Sequence, residues 1–127
     1  MKKRICVCGG RDYKDREFVY AILDKMLAVM ITNGKQIIII HGGAQGADTL
    51  AGEWAKSHNI EVEEFKVLQK DYDKYGRAAP IHRNIDMLKS GLDCVIAFPG
   101  KNGTAHMCSI AEKANVKVFK PADVTSR

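Results

Sequence analysis

The residues best suited to chemistry fall in four short stretches: GGRDY at 9–13, HGGAQGAD at 41–48, PIHRN at 80–84 and PGKNGT at 99–104. Glycine-rich turns that open helices present backbone N–H groups and the positive end of a helix dipole, a ready site for phosphate. Gly42, Gly43, Ala44 and Gly46 form one such turn, and Pro99, Gly100, Gly103 and Thr104 form another. Gly9 and Gly10 allow a further close backbone approach. Arg83 offers a planar fork of donors to an anion, and Arg11 is a second cation of this kind. Asn84 can fix a loop or read a base edge. Tyr13, Tyr72 and Tyr75 can stack on a base or simply pack. Asp48 has two readings: it caps the free N–H groups of the helix it opens, or it faces a sugar hydroxyl or base edge, since phosphate would be repelled. Thr104 shares that choice as N-cap or hydroxyl donor. His106, in the first helical turn after it, is an acid or base only if it is not an ordinary lone histidine.

Several chemistries are excluded. No G-x-G-x-x-G follows the first apolar run, no acid ends the second, and no Gly-Lys-Ser/Thr follows either glycine loop, so neither dinucleotide oxidoreductase nor P-loop binding is expected, and no cofactor. Cys6, Cys8, Cys94 and Cys108 sit in or beside apolar stretches. With His41 and His106 they complete no tetrahedral spacing, so buried reduced thiols are expected and no metal. The net charge of +5 favours an anionic partner, but the lysines and arginines are scattered, which argues against a nucleic-acid stripe. No signal peptide and no apolar run of membrane length is present, and a cytoplasmic protein is expected.

These stretches need a frame. Apolar runs at 4–8, 36–41, 60–67, 93–98 and 116–119 read as strands. Helical stripes lie between them. One is Phe18, Val19, Ile22, Leu23, Met26, Leu27 and Met30, with Asp15 as N-cap and Asn33-Gly34 as stop. A second holds Leu50, Ala51, Trp54 and Ala55, a third Ile81, Ile85 and Leu88 after Pro80 and ending at Gly91, and a fourth Met107, Ile110, Ala111 and Ala114. Such alternation predicts a single α/β, Rossmann-like three-layer domain with a five-stranded parallel sheet over 1–120, and a flexible C-terminal tail at 121–127. In a parallel sheet every strand-to-helix turn lies on the carboxyl edge, where open α/β folds bind ligands. GGRDY, GGAQGAD, the long 68–79 segment leading into PIHRN, and PGKNGT all fall on that one rim, with Arg83 and Asn84 in the first turn after Pro80.

In this order CGGRDY, HGGAQGAD, YGRAAPIHRN and PGKNGTAHM resemble the YspA-type, cpYpsA-related branch of the SLOG superfamily, related to the Lonely Guy phosphoribohydrolases and DNA-processing protein A. The resemblance covers about residues 3–118. It implies a nucleotide or nucleotide-derived ligand on the carboxyl rim, ADP-ribose-like or a nucleoside monophosphate, and a homodimer. The Lonely Guy enzymes pair an arginine, matched here by Arg83, with a glutamate three residues beyond Gly-Thr. That place is Met107, and PGKNGT carries Lys101 where those enzymes have a second glycine. A methionine cannot stabilise charge on a sugar or orient water.

The expected function is therefore nucleotide binding, with Gly42, Gly43, Gly100, Gly103 and Thr104 cradling phosphate and Arg83 and Arg11 neutralising it. Asp48 and Asn84 then contact sugar or base. The alternative is a hydrolase cleaving an N-glycosidic bond of a nucleoside phosphate, with Asp48 and Arg83 as catalytic residues. A third reading, single-stranded nucleic-acid binding, has only the net charge and a distant resemblance behind it.

Overall fold

The computed structural model describes residues 2–124. Five strands, β1 (Lys2–Cys8), β2 (Gln36–His41), β3 (Glu61–Glu64), β4 (Cys94–Ala97) and β5 (Lys117–Phe119), form one all-parallel sheet in the order β3-β2-β1-β4-β5. Helices α1 (Arg16–Thr32), α2 (Ala47–Ser57), α3 (Gln69–Tyr75), α4 (Ala79–Lys89), α5 (Asn102–Lys113) and α6 (Pro121–Val124) connect or follow them. The expected Rossmann-like α/β architecture is observed.

Side chains alternate across each strand, so the two central strands feed two cores. Ile5 and Val7 of β1 and Ile37 and Ile39 of β2 pack with Val19, Leu23 and Trp54 under α1 and α2. Cys6, Cys8, Ile38 and Ile40 point the other way, onto Met87, Met107 and Ala111 of α4 and α5. All four cysteines are free thiols, and Cys6, Cys8 and Cys108 are buried in this second core. Trp54, fully enclosed, satisfies its indole N–H on Asp24 Oδ1 at 2.8 Å. Asp15 caps α1, accepting the Phe18 N–H at 3.1 Å, and Asn33 ends it, as the sequence predicts.

The differences lie at the sheet edge. β3 ends at Glu64 instead of running to Val67: it is an edge strand paired only with β2 and mostly exposed, so apolar alternation does not fix its end. The segment read as a long turn contains α3 and a 3-10 turn at Gly76–Ala78. α3 has no buried residue, so it carries no apolar stripe by which to be recognised. Within the segment expected to be a flexible tail, Pro121–Val124 form a helical turn with Pro121 buried, and 125–127 lie outside the described residues. Among the described residues no helix is long and apolar enough to cross a membrane.

Candidate functional site

The carboxyl ends of β1, β2, β3 and β4 surround a cavity of about 750 Å3, within the ordinary range for small-molecule sites. It spans the gap between β1 and β4, where the chain's connections diverge to opposite sides of the sheet, the usual ligand position in open α/β folds. Cys8, Met87 and Met107 give it an apolar floor. Gly9, Gly10, Arg11, Gly42, Gly43, Ala44, Asp48, Arg83, Asn84, Pro99, Gly100, Gly103 and Thr104 all line it, so thirteen of the fourteen ligand residues expected from the sequence lie around one space.

Gly46 is the exception. It is not among the lining residues, and at φ +83° a Cβ there would run into the carbonyls of Gly10 and Arg11. Gly46 therefore serves the packing of one rim loop against another.

Other glycines follow the same rule. A side chain on Gly10 would press on Pro99 and Gly100, and one on Gly100 on Thr104 Oγ1 and the Gly10 nitrogen, while Gly10 N–H donates to the Pro99 carbonyl at 2.8 Å. The first and fourth rim loops thus meet backbone to backbone. A Cβ on Gly42 would occupy the place of the Arg83 guanidinium, and one on Gly43 that of the Glu64 carboxylate. Side chains are missing from GG because neighbouring charged side chains fill the space. Gly103 is different: it lines the cavity, and a Cβ there would meet nothing.

The loop before α2 is closed by its own chain. Asp48 is 5% exposed and sits in the second position of α2, whose N-cap is Gly46. The helix-capping reading is corrected here. Asp48 Oδ2 instead reaches back to accept the N–H groups of Gly42 at 3.0 Å and Ala44 at 3.3 Å. Burial raises its pKa to about 6, opposed by the Ala44 amide, the Arg83 charge and the Gly42 amide. The intervening Gly43 N–H turns the other way, onto Nδ1 of buried His41 at 2.9 Å. All three successive amides therefore have partners within the protein, and an anion on this loop would find none of them open.

The loop before α5 is the reverse. Lys101 is its N-cap position, with no side-chain cap, and Thr104 is the third helical residue, which corrects its reading as N-cap. Among the described residues nothing accepts from the amides of Asn102, Gly103 and Thr104. Their donors and the helix dipole face a surface that Gly100, Lys101, Gly103 and Thr104 share with the cavity.

Arg83 and Asn84 join the two loops. They lie in the second turn of α4 instead of the first, because the helix starts at Ala79, directly after the 3-10 turn. Arg83 Nη1 donates to the Gly42 carbonyl at 2.6 Å and its Nε to Asn84 Oδ1 at 3.0 Å. Asn84, 3% exposed, donates from Nδ2 to the Gly103 carbonyl at 3.2 Å. The same nitrogen lies 3.2 Å from Nδ1 of His106, which does not line the cavity. Tyr75 stacks on His82 at 3.7 Å, away from the cavity, whereas Tyr13 and Tyr72 line it.

The sequence reading missed Lys66 and Val67 at the cavity wall. With the carboxyl end of β3 read three residues too far along they counted as strand, although the rule that turns on the carboxyl rim carry function applies to them. No group of three or more His, Cys, Asp or Glu among the described residues is placed to hold a metal ion.

A parallel sheet with a cavity at its switch point and glycine-rich turns around it defines a Rossmann-like α/β domain. The chain belongs to the YspA, cpYpsA-related SLOG family, whose model matches residues 3–71. It is also similar to a protein of Mycobacterium phage D29 described as "Gene 61 protein", 33% identical over 127 residues that cover 95% of this chain and 98% of that one. The family match contains the first two rim loops, and Arg83, Asn84 and the α5 loop lie beyond it.

Proposed function

We propose that the protein binds a nucleotide or nucleotide-derived small molecule on the carboxyl rim, with its phosphate at the start of α5 and its sugar toward Asp48. Membership of the SLOG family supports a nucleotide-related role. The observation that carries the arrangement is the contrast between the two loops: the Gly42–Ala44 amides are occupied by Asp48 and His41, while those of Asn102, Gly103 and Thr104 have no partner among the described residues. Phosphate is thereby directed to Gly100, Gly103 and Thr104, with Lys101 and Arg11 at the exposed mouth. Among the described residues Asp48 accepts through Oδ2 alone, which leaves Oδ1 to accept from a hydroxyl.

A thermal-shift and calorimetric panel of nucleoside mono- and diphosphates, ADP-ribose and inorganic phosphate tests this reading, since a ligand selective for the folded state raises Tm by mass action. Selective stabilisation by a nucleotide, lost in Thr104→Val, is expected. No shift across the panel would sink it.

A second reading, hydrolysis of an N-glycosidic bond, draws on the raised pKa of Asp48, a feature of acid-base groups. Release of base from a nucleoside monophosphate, abolished in Asp48→Asn, would establish it, and binding without release would remove it.

A further inference from the structure

Buried His41 has entered so far only as the acceptor of the Gly43 N–H. It ends β2, and its Nδ1 accepts the Gly43 N–H at 2.9 Å, so the neutral ring carries its proton on Nε2. The Gly43 N–H and the Gly42 carbonyl belong to one peptide unit, which is planar and trans, so the two groups point in opposite directions. His41 holds one end of this unit. Arg83 Nη1 holds the other, at 2.6 Å.

From this geometry we infer that His41 is a positioning residue: through the Gly42–Gly43 peptide plane it fixes where the Arg83 guanidinium stands over the cavity, and it does so only while its ring is neutral.

Protonation turns Nδ1 from acceptor into donor, and two N–H groups then face one another. Rotation of the peptide relieves this opposition, and it carries the Gly42 carbonyl away from Arg83. Gly43, at φ +75°, has the conformational freedom to allow it. The charged groups around the ring are Glu64 at the end of β3, which favours protonation, and Arg83 on α4, which opposes it, while α2 meets the ring with uncharged Gly52. Burial weighs against the charged ring most heavily and holds the His41 pKa below its usual value. Asp48, in the first turn of α2, grips the flanking amides and not this one.

The consequence for ligand binding rests on the nucleotide reading above and on Arg83 facing that ligand from the cavity wall, but the coupling itself does not. The test follows the side-chain nitrogens of His41 and Arg83 by 15N NMR in the intact protein between pH 7.5 and 5, and measures affinity for AMP by calorimetry. Expected are an Nε2-protonated ring at pH 7.5 and movement of the Gly43 amide and Arg83 Nε resonances with the midpoint of His41. Asn at this position keeps an acceptor that does not titrate. His41→Asn should hold AMP affinity at pH 7.5 within about threefold and abolish the linked movement of Arg83. His41→Leu should weaken AMP by about tenfold, the scale of one hydrogen bond. An Arg83 resonance that ignores His41 titration in the wild-type protein overturns the inference, whatever the variants do. Failure of AMP and the wider panel to bind would instead strike the nucleotide reading, and the NMR titration would still decide the coupling.

Discussion

Asp48 and Arg83 hold the same residue from opposite sides: the Asp48 carboxylate accepts the Gly42 N–H at 3.0 Å, and the Arg83 guanidinium donates to the Gly42 carbonyl at 2.6 Å. The carboxylate and the guanidinium are thus linked through the backbone of one residue. Substitutions here should report on loop geometry before they report on chemistry.

Asp48 sets a pH dependence of stability with an unusual sign. Its folded pKa, about 6, lies above the unfolded value of 3.8, so the folded state binds the proton more tightly. The resulting penalty, roughly 3 kcal/mol, is fully present above pH 6, falls as the pH drops toward 4, and is absent below. Asp48→Asn keeps an acceptor for Gly42 and Ala44 without the buried charge. Urea unfolding at pH 7.5 and 5 should show the wild type gaining relative to Asp48→Asn at the lower pH. An unchanged difference would refute the assignment.

Removing the acceptor altogether is a separate matter. Asp48→Ala leaves two amides without a partner and should cost about 1–3 kcal/mol at pH 7.5, read from the same unfolding curves.

Glycines on the rim divide by what faces them. Gly46→Ala meets two carbonyls at a positive φ and should lose more than about 1 kcal/mol of stability. Gly103→Ala, near the start of α5 and facing open space, should be neutral or stabilising by up to about 1 kcal/mol, yet weaken nucleotide binding if phosphate lies against it. Tm and calorimetry on the pair separate packing from ligand approach.

Asn84 should behave as a strut. Asn84→Asp loses the donor to the Gly103 carbonyl and sets a carboxylate beside Arg83, so the α5 loop is released from α4. We expect affinity for AMP to fall by about tenfold or more while the fold persists, by calorimetry and circular dichroism.

Much of this was legible in the sequence because parallel topology forces every strand-to-helix turn to one edge. IIII in β2 and VIA in β4 declare buried strands, and the turns after them then have only one place to go. What could not be read was direction. Nothing in HGGAQGAD says that Asp48 turns back onto Gly42 instead of capping α2, or that Gly43 turns to His41. Both depend on Gly43 at φ +75° and Gly46 at φ +83°, conformations that glycine permits but does not require. Nor does composition reveal that the space spared by Gly42 belongs to Arg83, which is 41 residues further along the chain. Lys66 escaped for a simpler reason, a misplaced end to an edge strand.

That edge strand also bears on how copies of the molecule tolerate one another. Three of the four residues of β3, Glu61, Glu63 and Glu64, are acids, and Lys2 and Arg4 pin the first two at 2.6 and 2.9 Å. An unpaired strand is a template on which another chain can polymerise, and short, charged edges are the usual protection. A second β3 laid alongside would bring carboxylate against carboxylate. The strand whose end the sequence left unmarked thus doubles as a guard rail against edge-to-edge aggregation.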